Sequence, residues 1–216
     1  MKKNIFLLIL ALCSSSAIIR AIPSISLTDN DSYTQDSQID GVDVSYTRNF
    51  TNVNWQAIYL PFSLNIDDLK DDFELAFIDA VYQKDNDDDG IIDEISMEAI
   101  KIKTGSTVPN RPYLIRAKTV GEKTIFVENA TLYAAEEESV DCSTTIAKFT
   151  FTGNYSTVSC KTLTQNNYYA MDRGDLIHSN GSDLKPFRWY MKVESRNSRY
   201  NMSNDAKAIR ITVIDE

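Results

Sequence analysis

The sequence has few of the residues that most often mark catalytic and metal sites. It contains one histidine, His178, and three cysteines in 216 residues. A single histidine excludes zinc sites built from several histidines, and it leaves a Ser-His-Asp triad only if His178 is the base. The G-x-S-x-G pattern of a nucleophile elbow is absent from the sequence. We therefore name no catalytic residue and expect a protein that is not an enzyme.

Glycine, proline and basic residues are also scarce. Seven glycines and five prolines exclude a collagen-like or linker protein, and the scattered glycines form no phosphate-binding loop. Acidic residues outnumber basic ones by 31 to 22. Nucleic acids and anionic membrane surfaces both require a basic stripe, so neither is expected as a partner. A glycan or a protein remains open as the ligand.

Long hydrophobic runs are confined to the amino terminus. There the apolar segment Ile5–Leu12 follows Lys2 and Lys3 and precedes small residues. The segment is too short to span a bilayer and is typical of an export signal cleaved after Ala21 or Ala17. We expect residues 1–21 to be a signal peptide and residues 22–216 to form one exported domain without a membrane span. The domain would be periplasmic, secreted or at the cell surface.

Cys13 offers an alternative end to the export signal. The residues Leu10-Ala11-Leu12-Cys13 half match the lipobox of bacterial lipoproteins, in which the residue before the cysteine is small. Leu12 departs from that pattern. A lipid on Cys13 would anchor the chain to a membrane instead of releasing it.

Cys142 and Cys160 are the cysteines that remain after removal of the signal. An even pair in an oxidising compartment predicts a disulfide bond. It would close a loop of about 18 residues and contribute about 3 kcal/mol in the chain-entropy model. The alternative is two buried thiols that never meet.

Alternating apolar and polar residues, as in Val42–Arg48, predict strands along most of the chain. Residues 22–39 hold a short first strand and a polar loop, and Ile66–Asp72 is a short helix that Asn65 caps. The fold class is therefore all-β, an antiparallel β-sandwich with one short helix, and a jelly roll is one arrangement of its strands. The other strand candidates are Trp55–Leu60, Phe73–Tyr82, Ile95–Lys103, Tyr113–Lys118, Thr124–Glu128, Ile146–Thr152, Tyr168–Met171, Phe187–Glu194 and Ala208–Ile214.

An acidic loop is the most specific candidate site. Its D-x-D-x-D-G pattern ends at Gly90, which permits a sharp turn, and carboxylate oxygens are ligands that Ca²⁺ prefers. Position twelve of the loop is Ser96 and not the glutamate of an EF-hand. The alternative is a charged hairpin tip in water. The predicted ligands of a structural Ca²⁺ are Asp85, Asp87, Asp89 and Asp93.

The aromatic segment Phe187–Val193 supplies a candidate for ligand binding. Alternation places Trp189 on the core face of this strand and Tyr190 on the other face. Tyr190 is therefore the ring that we expect to be exposed for a ligand. A sandwich needs large inward residues, so Trp55 is expected in the core with Trp189.

Several segments of the chain follow one another in a distinctive order: Tyr46–Arg48, Trp55, Leu60–Phe62, the acidic loop, Pro109–Ala117 and Leu184–Tyr190. Together they resemble an uncharacterised domain of secreted and surface proteins from gut anaerobic bacteria. The resemblance covers roughly Val42 to Ile214. It implies an exported, cell-surface, β-rich module and transfers no catalytic residue to this chain.

The function expected from these observations is a secreted or cell-surface noncatalytic module that is adhesive or binds a carbohydrate or protein ligand. The alternative is a secreted carbohydrate-active hydrolase that uses a carboxylate pair. The 31 acidic residues permit such a pair, but their spacing along the chain identifies none.

Overall fold

The computed structural model of the chain describes residues 22–86, 91–92, 94–145, 147–178, 181–196, 201–202 and 209–215. The predicted signal peptide, residues 1–21, and Cys13 lie outside these residues. The described chain forms fifteen strands and two short helices. The all-β prediction is therefore confirmed.

The elements follow the chain in this order. The strands are β1 (Ser24–Thr28), β2 (Ile39–Phe50), β3 (Gln56–Ile58), β4 (Phe73–Lys84), β5 (Ile91–Ile92), β6 (Glu94–Ile102), β7 (Tyr113–Ala117), β8 (Gly121–Leu132), β9 (Ser139–Asp141), β10 (Ala147–Asn154), β11 (Tyr169–Asp172), β12 (Asp175–His178), β13 (Arg188–Ser195), β14 (Asn201–Met202) and β15 (Arg210–Ile214). The helices are α1 (Ile66–Leu69) and α2 (Cys160–Gln165).

Three sheets build the fold. The small sheet has the order β1-β2-β8, the central sheet β15-β6-β4-β7-β3, and the flanking sheet β12-β11-β13-β10-β9. A further two-stranded sheet pairs β14 with β5. Neighbouring strands are antiparallel except for the pairs β1–β2, β15–β6 and β14–β5. A jelly roll has two four-stranded sheets, and the sheets of the described chain have other sizes.

The central sheet is buried on both faces. Leu75 and Ile115 belong to the core shared with the small sheet, whereas their chain neighbours Ala76 and Leu114 belong to the core shared with the flanking sheet. Successive side chains of a strand point to opposite faces, so one strand serves two cores. The sandwich therefore has three layers, with the central sheet in the middle.

The two helices are each held by a capping side chain. Asn65 accepts a hydrogen bond from the Asp67 backbone N–H, as predicted, although α1 ends at Leu69 and not at Asp72. Helix α2 was not predicted. Its cap is Ser159, and Leu163 is its one buried residue. A single buried residue leaves no apolar periodicity from which the helix could be found.

Buried tyrosines form much of the core between the small and central sheets. Tyr155 donates its hydroxyl hydrogen to the side-chain oxygen of Asn110, and Tyr59 donates to the Glu136 carbonyl at 2.6 Å. Tyr33 donates to the Tyr133 carbonyl. Each ring fills the core while its polar end is satisfied, which is the usual condition for burying a tyrosine.

Candidate functional site

A pocket of about 460 Å³ opens between the central and flanking sheets. One wall is the β2–β3 connection, with residues from Thr51 to Ala57. The opposite wall comes from β11 and the β12 segment, from Ala170 to Ile177, together with residues 182–185. Leu163 of α2 and two arginines, Arg48 and Arg188, complete the lining. Both arginines are buried, at 4% and 9% exposure, and we call this pair the arginine floor.

Arg188 is fixed by a buried carboxylate behind the pocket. Its Nη1 donates to Asp29 Oδ1 at 3.0 Å and its Nη2 donates to Asp29 Oδ2 at 2.5 Å. The Tyr46 hydroxyl donates to the same Oδ1 and accepts from Arg188 Nη1 at 3.1 Å. This two-pronged arrangement suits the planar guanidinium and fixes its orientation.

Arg48 is held differently, by neutral groups and an aromatic ring. Its Nη1 donates to the Ala57 carbonyl at 2.9 Å, and its Nη2 donates to Gln56 Oε1 at 2.5 Å. Its guanidinium carbon lies 4.9 Å from the centre of the Phe50 ring. Nε lies 3.7 Å from Asp29 Oδ2 and makes no hydrogen bond within the described part of the chain. One buried N–H of Arg48 is thus left without an acceptor there.

The ionisation of this cluster is set by burial and by its own charges. Burial alone would raise the pKa of Asp29, but the hydrogen bond and charge of Arg188, with the charge of Arg48, hold that pKa below its usual value. Burial and the neighbouring Arg188 lower the pKa of Arg48 to about 9. At neutral pH the cluster therefore holds two positive charges against one negative charge.

Trp55 stands at the edge of the pocket with its ring supported from the central sheet. The Arg116 guanidinium carbon lies 4.9 Å from the centre of the Trp55 ring. Glu74 ion-pairs with Arg116, and Lys101 Nζ lies 2.5 Å from Glu74 Oε1. The hydrogen bond from Arg116 lowers the pKa of Glu74, so this carboxylate is ionised at neutral pH. The cation–π contact with Arg116 therefore holds the half-buried indole ring of Trp55 in place.

Hydrogen bonds also hold the rim of the pocket. Asn54 Nδ2 donates to the Arg173 carbonyl at 2.7 Å and joins the β2–β3 connection to the β11–β12 turn. Asp183 Oδ1 accepts from the Cys160 N–H at 2.8 Å, and Lys185 Nζ lies 3.4 Å from Asn30 Oδ1. These contacts tie the loops around the pocket to neighbouring elements.

The prediction that Tyr190 is exposed for a ligand is wrong. Tyr190 is 9% exposed and packs in a small cluster with Leu163 and Leu184. Its ring stacks on Tyr168 with centres 4.9 Å apart, and Lys192 Nζ lies 5.4 Å from the Tyr190 ring centre. Helix α2, which supplies Leu163, covers this face of β13, and no sequence pattern predicts that helix.

The two tryptophans differ in placement. Trp189 is fully buried between the central and flanking sheets, as predicted. Trp55 is half-buried and only partly packed against that core. The prediction that Trp55 lies in the core is therefore wrong, because Trp55 lies on the pocket wall.

The predicted disulfide between Cys142 and Cys160 is not formed, because both are free cysteines in the described structure. The Cys142 N–H bonds to the Phe149 carbonyl, and β10 then runs on to Asn154. That stretch spans roughly 17 Å, more than twice the Cα separation that a disulfide tolerates. Beyond it, Val158 pairs with Leu184, which places α2 past the far end of β10.

The environment of Cys142 does not favour a thiolate. The thiol lies 3.7 Å from the Asp79 carbonyl oxygen. Burial and the charges of Asp79 and Asp141 raise the pKa of Cys142 to about 11. A neutral thiol is a poor nucleophile, so Cys142 is a small packing residue.

Most of the acidic loop lies outside the described residues. Asp87, Asp89 and Asp93 are not among the described residues, and Asp85 is half-buried just after β4. Lys84 pairs with Glu94, so the loop connects two antiparallel neighbours. In the part of the chain that is described, no three potential ligands gather around one point. Calcium binding at this loop stays a prediction.

The arginine floor was missed by sequence reasoning, although the pattern of β2 carries a signal for it. Val42, Val44 and Tyr46 face the core at every second position, and Arg48 continues the same register. A charged residue at an inward position needs a buried partner. That partner is Asp29, which no sequence pattern connects to β2.

Comparison with models of protein families, with curated proteins and with solved structures yields no significant match. Function is therefore inferred from the geometry of the chain itself. None of the helices in the described ranges has the length and apolar character needed to cross a membrane.

Proposed function

We propose that the chain is an exported, noncatalytic module that binds a carbohydrate in the pocket beside Trp55. The observation that carries the proposal is the half-buried indole ring of Trp55 on the wall of a pocket otherwise rich in polar side chains. A sugar ring has apolar C–H faces and a polar edge. An aromatic wall with hydrogen-bonding groups around it is complementary to both.

The size and the rim of the pocket support this function. A volume of about 460 Å³ lies within the range of small-ligand sites. Asn52, Gln56, Asp183 and Lys185 line it and supply both hydrogen-bond donors and acceptors. A standard protein interface buries about 800 Å² on each partner, whereas a concave pocket of this size suits a small ligand, which favours a carbohydrate over a protein as the ligand.

Fixed side chains in the pocket further support binding. Trp55 is held by Arg116, and Arg188 is held by Asp29, before any ligand arrives. Side chains that are already ordered lose little entropy when a ligand binds. Such preorganisation is what a binding module needs.

A carbohydrate hydrolase is the second candidate, because Asp172 and Asp183 both line the same pocket. Glycoside hydrolysis uses two such carboxylates. Incubation of the protein with any glycan that it binds, followed by product analysis, separates the two functions. Intact glycan favours the binding module. Turnover that is lost in Asp172→Asn or Asp183→Asn would make the chain a hydrolase.

The proposed function is tested by screening the purified protein on a glycan array and titrating a positive glycan by calorimetry. We expect Trp55→Ala to weaken binding at least about tenfold, as loss of an aromatic stack does. Tyr82→Ala is the matched control, since Tyr82 is 53% exposed and does not line the pocket. An array without binding, or binding that Trp55→Ala leaves intact, would overturn the proposal.

Export to the cell surface, and the kinship with surface proteins of gut anaerobes, belong to the same proposal. They rest on the amino-terminal pattern and on the resemblance described above. Expression of the full chain in a bacterial host, followed by fractionation and amino-terminal sequencing, tests export. A mature protein beginning at residue 22 or 18 supports it, and an uncleaved cytoplasmic chain contradicts it.

A further inference from the structure

We infer that the carbohydrate is acidic and that the carboxylate of a hexuronic acid residue binds at the arginine floor. The inference rests on the proposed function and adds the chemical class of the ligand. The observations behind it are the charge and the hydrogen bonds of Arg48 and Arg188, and the difference in charge between the pocket lining and the whole protein.

The buried cluster behind the pocket has an excess of positive charge. Arg48 and Arg188 are both buried, and among the described residues Asp29 is the one carboxylate that forms ion pairs with them. Tyr46, the other ionisable partner, is buried and its pKa is raised, so it is neutral. Burying a charge without a counter-charge is costly. An anion in the pocket would supply the missing negative charge.

Arg48 also has unused hydrogen-bonding capacity. A guanidinium group carries five N–H bonds. Within the described residues, Nη1 and Nη2 of Arg48 each make one hydrogen bond, to Ala57 and Gln56, so each has a second N–H that makes none there. Nε is fully buried and lies 3.7 Å from Asp29 Oδ2. Arg188, by contrast, is occupied by Asp29. Arg48 is therefore the residue that we expect to gain most from an arriving carboxylate.

The pocket has the opposite sign from the protein around it. The sequence carries a net charge of −9, yet the described lining has four basic side chains, Arg48, Arg173, Lys185 and Arg188, against Asp172 and Asp183. A local positive potential inside an acidic protein draws anions to one place.

When Asp29 behind the arginine floor is counted with Asp172 and Asp183, the excess is a single positive charge, which favours a monovalent anion. A carboxylate carries one negative charge and is planar, like the guanidinium group that would bind it. A phosphate monoester carries nearly two charges at neutral pH and would exceed the excess. Trp55, on the neighbouring wall, would then stack on the sugar ring that bears the carboxylate.

The test is calorimetry with oligosaccharides of galacturonic acid and of glucuronic acid, each compared with its methyl ester. The ester keeps the sugar and removes the charge. We expect the free acid of at least one of the two to bind about ten- to a hundredfold more tightly than the ester, as a charge-assisted hydrogen bond would produce. A sulfated hexose oligosaccharide serves as the third probe.

The outcomes separate this inference from the proposed function. If esters or neutral hexose oligosaccharides bind as tightly as the acids, or if the sulfated probe binds best, the carboxylate inference fails while carbohydrate binding stands. If no glycan of the array binds, the proposed function itself fails. A glycan that binds in the array but shows no difference between acid and ester also overturns the inference.

A substitution at Arg48 tests whether this residue is responsible for the difference in affinity between acid and ester. Arg48→Gln should remove most of the difference in Kd between acid and ester, with the melting curve as a check on folding. Lys70→Gln is the matched control, because Lys70 is exposed, pairs with Asp67 and does not line the pocket. Retained discrimination in a folded Arg48→Gln protein would overturn the inference. If that variant does not fold, the acid-to-ester comparison on the unmodified protein still decides.

Discussion

Both terminal nitrogens of Arg188 donate hydrogen bonds to the carboxylate of Asp29, at 3.0 and 2.5 Å, although the two residues are 159 positions apart in the sequence. The contact joins the turn after β1 to the start of β13, and Tyr46 of β2 completes it. It therefore fastens the small sheet to the flanking sheet. The same contact orients one of the two arginines that line the pocket.

Removal of this carboxylate should destabilise the protein strongly. Asp29→Ala leaves two buried guanidinium groups without their counter-charge, which typically costs about 3–5 kcal/mol. Urea unfolding monitored by tryptophan fluorescence measures the change. Asp67→Ala is the control, since Asp67 forms an exposed pair with Lys70, and such pairs contribute at most about 1 kcal/mol. Equal losses in the two variants would contradict the account.

The stability of the protein should depend on pH through Asp29. Its pKa is lower in the folded protein than its ordinary value. The unfolded chain therefore binds the proton first as pH falls, so the contribution of Asp29 is complete above about pH 4 and is lost below it. Unfolding free energies between pH 6 and pH 3 should fall less steeply in Asp29→Asn than in the unmodified protein. Parallel curves would show that Asp29 is not the group responsible.

The support of Trp55 should matter for binding even though Arg116 does not line the pocket. Arg116→Ala removes the cation over the indole ring, which releases the ring from its fixed position. We expect the Kd for a bound glycan to rise about two- to fivefold, the equivalent of a partly exposed cation–π contact. Calorimetry measures it, and unchanged affinity would show that the stack does not position Trp55.

Gly153 permits the close packing of Tyr59 in the core. A Cβ at this position would lie 2.1 Å from the Tyr59 ring, and that ring is buried and bonded at its hydroxyl to Glu136 and Glu138. Gly153→Ala should therefore cost about 3 kcal/mol of unfolding free energy. Gly105→Ala, with open space around it but a φ of +87°, reports the backbone effect alone, about 1–2 kcal/mol. If Gly153→Ala lowered the unfolding free energy by less than Gly105→Ala does, the close packing of Tyr59 against Gly153 would be contradicted.

The free state of Cys142 and Cys160 predicts that reducing agents do not change stability. A disulfide would contribute about 3 kcal/mol, and its reduction would lower the melting temperature visibly. We expect identical melting curves with and without a phosphine reductant, and alkylation of both thiols in the unfolded protein by mass spectrometry. A drop in melting temperature on reduction would show that the bridge exists.

Most strands could be predicted because they alternate. Val42–Arg48 lies inside β2, and Phe73–Tyr82 lies inside β4. The third layer could not be predicted. In β7 the residues Tyr113, Leu114 and Ile115 are all buried, because both faces of the central sheet are covered. A strand with two buried faces has no polar side to reveal which layers it serves.

The pocket could not be predicted because Arg188 and the residues of its opposite wall are distant in the sequence from Arg48 and Trp55. Arg48, Trp55 and Arg188 come together only through the packing of three sheets. Tyr190 failed as a candidate for the related reason that helix α2 covers it. Sequence alternation places a residue on a face of a strand but does not say what lies on top of that face.

The most direct test of the account is a crystal structure of the protein with a positive glycan from the array bound. We expect a sugar ring stacked on Trp55 and an acidic group within hydrogen-bonding distance of Arg48. A glycan bound on another surface, with the pocket beside Trp55 left empty, would contradict it.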